Sequence, residues 1–278
     1  MIVARQLAGR SLGLDTRERA CSPYARFMRP MRADLPASAL SAAARGPVAP
    51  PRLPGITAVG QLCGDGSHEL ESGYTRLRDG EARVAIATPM PGCSAEMVDW
   101  WFGWHAEDPV RYKLWHPGAH VHACWVEDAD PTARGRARYV GRTSLVDEYL
   151  GSNLGRFAIR FVAPVSLGLS EAALDARSGA TAVCARVGLV ELPLDVGYLV
   201  HHVRPAGDGV EMRSRFWLGG PHAAVRGAGR LGGAVGRAVS RWVRPSERDA
   251  LDLLVHCAEE MAHLATILPD IHAIHGGE

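Results

Sequence analysis

Lysine is almost missing from the 278-residue chain: Lys113 is the single one, and arginine supplies nearly all of the positive charge. We read that as coding bias. The formal net charge is +1, which offers no field to draw nucleic acid or an anionic membrane surface. Long apolar runs are missing too, and none approaches the roughly 20 residues that cross a bilayer. The six cysteines (Cys21, Cys63, Cys93, Cys124, Cys184, Cys257) form no CxxC pair, so neither a zinc ribbon nor a redox pair is suggested. They read as buried thiols in a reducing compartment. The opening residues lack the basic start, apolar stretch and small-residue cleavage site of a secretory leader, and the cytoplasm is the expected location.

What is present organises the chain into a small N-terminal region, 1–70, and a larger domain, 71–278. Residues 1–55 are rich in Arg, Ala and Pro and end in GPVAPPRLPG, whose prolines withhold backbone donors. This is expected to be an arm or cap with one short helix at Pro36 to Ala44. From Glu71 on, GYTRL and ARVAIATPM flank Asp79-Gly80 and predict a hairpin. Ser94 caps a helix through AEMVDWWFGWH, anchored by Trp100, Trp101 and Trp104. Strands are expected at HVHACWVED, RFAIRFVAP, TAVCARVGL, GYLVHHVRP and VEMRSRFWLG. Strands closed by one helix predict an α+β fold, an antiparallel sheet wrapped on a long C-terminal helix. Residues 219–245, Gly/Ala-rich with a basic end, are a connection or a lid.

That last helix opens at Ser246, with Asp249 as an approximate capping box, and is expected to stop at Leu268, before Pro269. At 100° per residue, Leu251, Leu254, Ala258, Met261 and Ala265 share one face while His256, Glu260 and His263 share the opposite one. His256 and Glu260 are one turn apart and can reach one metal ion from a rigid element. HxxxE alone is weak, because many helices carry it as a solvated pair. A buried glutamate, however, needs a partner. Two further candidates are RYKLWHPGAHVHACW, with His116, His120 and His122 at a loop-to-strand junction, and SLVDEYLG, where Asp147 and Glu148 point to opposite faces if extended.

The blocks DWWFGWH, RYKLWHPGAH, VDEYLG, EMRSRFWLG and HCAEEMAHLATILP, in this order, resemble the 2,4-diacetylphloroglucinol hydrolase and phloretin hydrolase family from about Arg29 to Pro269. The resemblance implies a Bet v 1-like helix-grip domain after a small N-terminal region. It also implies one Zn2+ in the cavity and hydrolytic removal of an acyl group from a phenolic ring. The family's ligands fall on His120, Glu148, His256 and Glu260. His116 rivals His120, which is preferred because it follows the substrate-contacting Tyr112 at the family's separation. A cavity histidine falls on His201 or His202, one of which must face away, with His201 favoured. Two substrate contacts are missing: Ala123 stands where an asparagine is expected, and no tyrosine occurs near Arg215 to Trp217.

The implied partner is a small acylated phenol, with no nucleic acid and no membrane, and a homodimer is left open. Zinc would polarise the acyl oxygen, His201 would move a proton to or from the ring, and Tyr112 would hold a phenolic oxygen. Two alternatives belong to other classes: a metal-free helix-grip carrier of apolar aromatic ligands, and a mononuclear iron oxygenase.

Overall fold

The computed structural model describes residues 12–31, 35–174, 179–240 and 244–277. The first eleven residues of the expected arm and residues 241–243 of the basic segment lie outside them. Nine strands are described: β1 (Gly73–Arg76), β2 (Glu81–Pro91), β3 (His120–Trp125), β4 (Thr143–Leu150), β5 (Asn153–Val162), β6 (Thr181–Leu189), β7 (Leu194–Ala206), β8 (Gly209–Gly219) and β9 (Ala224–Val225). Six helices accompany them: α1 (Thr16–Cys21), α2 (Ala37–Arg45), α3 (Ala95–Trp104), α4 (Pro109–Trp115), α5 (Gly229–Ser240) and α6 (Glu247–His275). The sheet order is β1-β2-β8-β7-β6-β5-β4-β3, antiparallel throughout, and the two-residue β9 pairs with the start of β7. The sheet grips α6, the expected helix-grip arrangement.

Local chemistry explains the turns and the pairing. In the β1–β2 hairpin Gly80 takes φ +93°, which a side chain disfavours, while Asp79 accepts the Glu81 N–H at 3.0 Å. From β4 to β8 each strand pairs with the next in sequence, with two-residue turns joining β4 to β5 and β7 to β8 and a longer connection, residues 163–180, leading from β5 to β6. Strands β6 and β8 are buried along most of their length, because their second face is covered too. There Val59 and Leu62, in a 3-10 turn over Ile56–Cys63, pack on Ala182, Cys184, Val200 and Trp217. The N-terminal segment also reaches the main core through Phe27, Ala39 and Ala42. Lys113, the lone lysine, is buried in α4 and donates to both carboxylate oxygens of Glu18 on α1 at 2.8 Å.

Three expectations are corrected. Helix α6 does not stop before Pro269 but runs to His275 with Pro269 inside it. Proline removes the donor for the carbonyl four residues back, that of Ala265, and the Cys93 thiol points at this oxygen from 3.9 Å. Beside it the Arg29 guanidinium donates to the Thr266 carbonyl and pairs with Asp270. The loop-to-strand reading of RYKLWHP missed α4, whose signals are Asp108 accepting the Val110 N–H at 2.8 Å and Pro109 in the first turn. Of the six cysteines only Cys93, Cys184 and Cys257 are buried; Cys21 is exposed, on a helix too short to bury a face.

Residues 219–245 are structured where they are described, with β9 and α5. None of the described helices is long and apolar enough to cross a membrane.

The start of α6 is the element's most local dependence. Ser246 Oγ accepts the Asp249 N–H at 3.1 Å, and Asp249 accepts the Ser246 N–H at 2.8 Å, a reciprocal box. Ser246→Ala should cost about 1 kcal/mol and lower the melting temperature by about 2–4 °C for a chain of this size. An unchanged melt would show that tertiary packing alone fixes this end.

Candidate metal centre

Four side chains from three elements meet at one buried point. His120 opens β3, Glu148 lies in β4, and His256 and Glu260 lie one turn apart on α6. His120 Nε2 is 3.6 Å from Glu148 Oε2 and 3.5 Å from Glu260 Oε2, and His256 Nε2 is 3.8 Å from each of the same oxygens. His120, Glu148 and His256 present donor atoms that all lie within 4.8 Å of one another. The β3–β4 register shifts between His120 and His122, pairing His120 with Glu148 and His122 with Asp147. A bulge of this kind re-aims a side chain next to a site.

Hydrogen bonding fixes which nitrogen of His120 faces the cluster. Its Nδ1 is 3.0 Å from the Tyr112 carbonyl oxygen, which can only accept, so Nδ1 carries the proton. Nε2 is left with a bare lone pair and no hydrogen-bond partner among the described residues. A backbone bond at Tyr149 orients His256 similarly. Burial pushes His256 down to about 3 and His120 well below the ordinary imidazole value, so both are neutral donors. Burial raises Glu148, opposed by the Tyr112 hydroxyl that donates to Oε2. Burial, then the charge of Glu148, raises Glu260 well above the carboxylate range.

This donor set fits a divalent cation. Ligands at 2.0–2.1 Å around a tetrahedral zinc lie about 3.4 Å apart, close to the 3.5–3.8 Å found between His nitrogens and carboxylate oxygens. The set also has its outer support, each imidazole being held from behind by backbone and Glu148 by Tyr112. His116 is not gathered with the others: its Nε2 faces Glu259 at 3.2 Å, while its ring stacks on His256 at 5.0 Å. His263 belongs to the same helix stripe but does not join the grouped donors.

A cavity of about 80 Å³ adjoins the cluster, lined by Tyr112, Glu148, His256 and Glu260 with Phe102, Trp115, Phe161, Leu199 and Phe216. His201 lines it and His202 does not. His202 lies on the other face, near Arg213, Arg204 and Arg215. Tyr112 stacks on His120 with centroids 3.8 Å apart. Ala123, at the position of the missing asparagine, is fully buried in the core, and Phe216 takes the wall where a tyrosine was looked for.

Sequence reasoning missed Ser214 and Cys257. Ser214 Oγ lies 2.8 Å from His201 Nδ1, and the Cys257 thiol lies beside both Ser214 and Glu260. A chain of contacts thus joins the cavity histidine to the metal cluster. The signal available was the period of β8, which puts Ser214 and Phe216 on one face.

A sheet that grips one helix, with a dry His/Glu cluster walled in between, defines a helix-grip protein with a candidate metal centre. The chain belongs to the DAPG hydrolase PhiG domain family, whose model matches residues 53–273. It is 33% identical over 263 residues to the 2,4-diacetylphloroglucinol hydrolase of Pseudomonas protegens, covering 90% of this chain and 83% of that one. It is 28% identical over 270 residues to the phloretin hydrolase of Eubacterium ramulus, covering 95% and 94%. Among solved structures, Ara h 8.0201 gives a TM-score of 0.30 at 12% identity, covering 64% of this chain and 97% of that one. So low a score adds nothing to the fold described above.

The buried imidazoles make a pH prediction. Burial holds His201 near 3, against 6.5 for a free imidazole. Between those values the unfolded chain binds a proton that the folded chain refuses, so stability falls as pH drops through the window. On chelator-treated protein, His201→Gln should flatten the loss of melting temperature between about pH 7 and about pH 5. Parallel curves for parent and variant would mean that His201 is protonated in the folded state.

Proposed function

We propose that the protein is a zinc-dependent hydrolase that cuts the carbon–carbon bond between an acyl group and a phenolic, phloroglucinol-type ring, releasing a carboxylic acid. The observation that carries this reading is His120, whose fixed tautomer leaves a bare Nε2 facing the buried Glu260 and the half-buried Glu148 carboxylates. The named activities of the relatives support it. His120, Glu148, His256 and Glu260 would hold the ion. When bound there, zinc supplies a Lewis acid for the acyl oxygen and eases deprotonation of water.

The chain's own groups do the rest. The Tyr112 hydroxyl, while donating to Glu148, can accept a hydrogen bond from a phenolic O–H and so orient the ring against the cluster. The apolar walls Phe102, Phe161, Leu199 and Phe216 exclude bulk water from the bound substrate. His201 lines the cavity with Nδ1 against Ser214 Oγ, and is the group that would pass a proton between the attacking water and the ring. It takes a proton from the attacking water, and water oxygen bonds to the acyl carbon as the ring–acyl bond breaks. The bond's electrons pass into the ring as a phenol-stabilised enolate. The proton then goes to the ring carbon, giving a carboxylic acid and the shortened phenol.

Metal content and turnover test this together. Purified protein should carry about one zinc per chain and release a carboxylic acid from acylphloroglucinols. Glu260→Gln should lower metal affinity roughly ten- to a hundredfold or more, while Glu259→Gln keeps the metal. His120→Ala should abolish both metal and turnover, and His116→Ala should retain the metal. Equal zinc and equal turnover in the two glutamine variants would leave His256 and Glu260 as a packing contact, and the metal-free carrier the better reading.

A further inference from the structure

Two buried polar groups that line the cavity have no hydrogen-bond partner among the described residues and no part in the chemistry above: Trp115 Nε1 and Ser144 Oγ. The Trp115 ring meets His120 edge to face at 5.4 Å, so it belongs to the metal end. Ser144 lies far from it. Ser144, Val146 and Glu148 alternate along β4 and all line the cavity, which places Ser144 about 13 Å of strand away from Glu148. The intervening wall is apolar: Val146, with Ile159 and Phe161 from β5 and Leu199 from β7. A buried hydroxyl without a partner is unfavourable, and such an exception calls for an explanation.

We propose that Ser144 is the distal specificity residue of the cavity, hydrogen-bonding an oxygen group at the end of the substrate's acyl arm remote from the bond that is cut. This rests on the hydrolase reading of the site. The phenolic ring finds its polar partners beside His120, at Tyr112 and Trp115, so its acyl arm is the part that extends along the apolar wall. The preferred substrate class is then an acylphenol whose arm is apolar along its length and hydroxylated at its tip. A short acetyl arm would leave Ser144 unsatisfied.

The test pairs phloretin with the analogue that lacks the hydroxyl on its distal ring, each against the parent protein and Ser144→Ala. The parent should favour the hydroxylated compound by roughly five- to tenfold in kcat/KM, the size of one neutral hydrogen bond. Ser144→Ala should bring that ratio to about one by losing activity on phloretin alone, with a melting temperature no lower than the parent's, since the serine makes no bond in the free protein. A ratio near one in the parent, a ratio that survives in the variant, or equal loss on both compounds would overturn the proposal. The same four pairings are measured for binding by quenching of tryptophan fluorescence. Should the parent cut neither compound, the hydrolase reading fails, while a Ser144-dependent difference in Kd still supports the distal contact. Equal Kd values, or no binding of either compound, overturn it.

Discussion

Two carboxylates share one dry pocket, and the rest of the molecule is arranged around that cost. Glu148 and Glu260 come from different elements, each raises the difficulty of ionising the other, and their described ion-pair partners are neutral histidines. Burial raises the pKa of both acids, that of Glu260 further through the charge of Glu148. With a cation bound, both acids must ionise, so metal uptake releases protons and is coupled to pH. Rigid surroundings keep the donor atoms gathered. Tyr112 supplies part of that rigidity, bonding to Glu148 through its hydroxyl, to His120 Nδ1 through its carbonyl, and to the His120 ring by stacking.

The gripped helix is the other part. His256 and Glu260 keep their spacing only if α6 stays regular below them, and Pro269 lies just over two turns further on. Cys93 and Arg29 meet the carbonyls near the proline, so the N-terminal segment helps keep the site-bearing helix continuous. The aromatic shell of Trp101, Trp104, Trp115 and Phe102 in turn fixes α3 and α4 over the cavity. Second-face cover from Val59 and Leu62 then leaves β6 and β8 little freedom to shift beneath His201 and Ser214.

Much of this was legible in the chain, for reasons that differ between residues. His256 and Glu260 could be read because a helix repeats in sequence: spacing alone puts them on one face. The strands and the Asp79-Gly80 turn were legible through alternation and turn chemistry. His120 against His116 was not decidable from local pattern, since His116 follows α4 directly and His120 opens β3 only four residues later. What separates them is a carbonyl at Tyr112 and a bulge opposite Glu148, both products of pairing. Pro269 misled because the carbonyl it frees, that of Ala265, is met by the Cys93 thiol from 172 residues away in the chain. Ser214 and Cys257 matter only through each other and their neighbours, which no single segment displays.

The two ends of the cavity carry different kinds of constraint. At the metal end the donors, their tautomers and their supports are interlocked, so one change disturbs several groups. At the other end the positions are nearly independent: Phe216 and Ser144 line the cavity from β8 and β4, while Ala123 on β3 is buried in the core. Phe216 offers a bound ring no hydrogen bond, so on the proposed reading more of the binding energy would come from the rest of the substrate. A longer acyl arm would supply it by burying area along Val146, Ile159 and Leu199, and an oxygen-bearing tip would also satisfy Ser144.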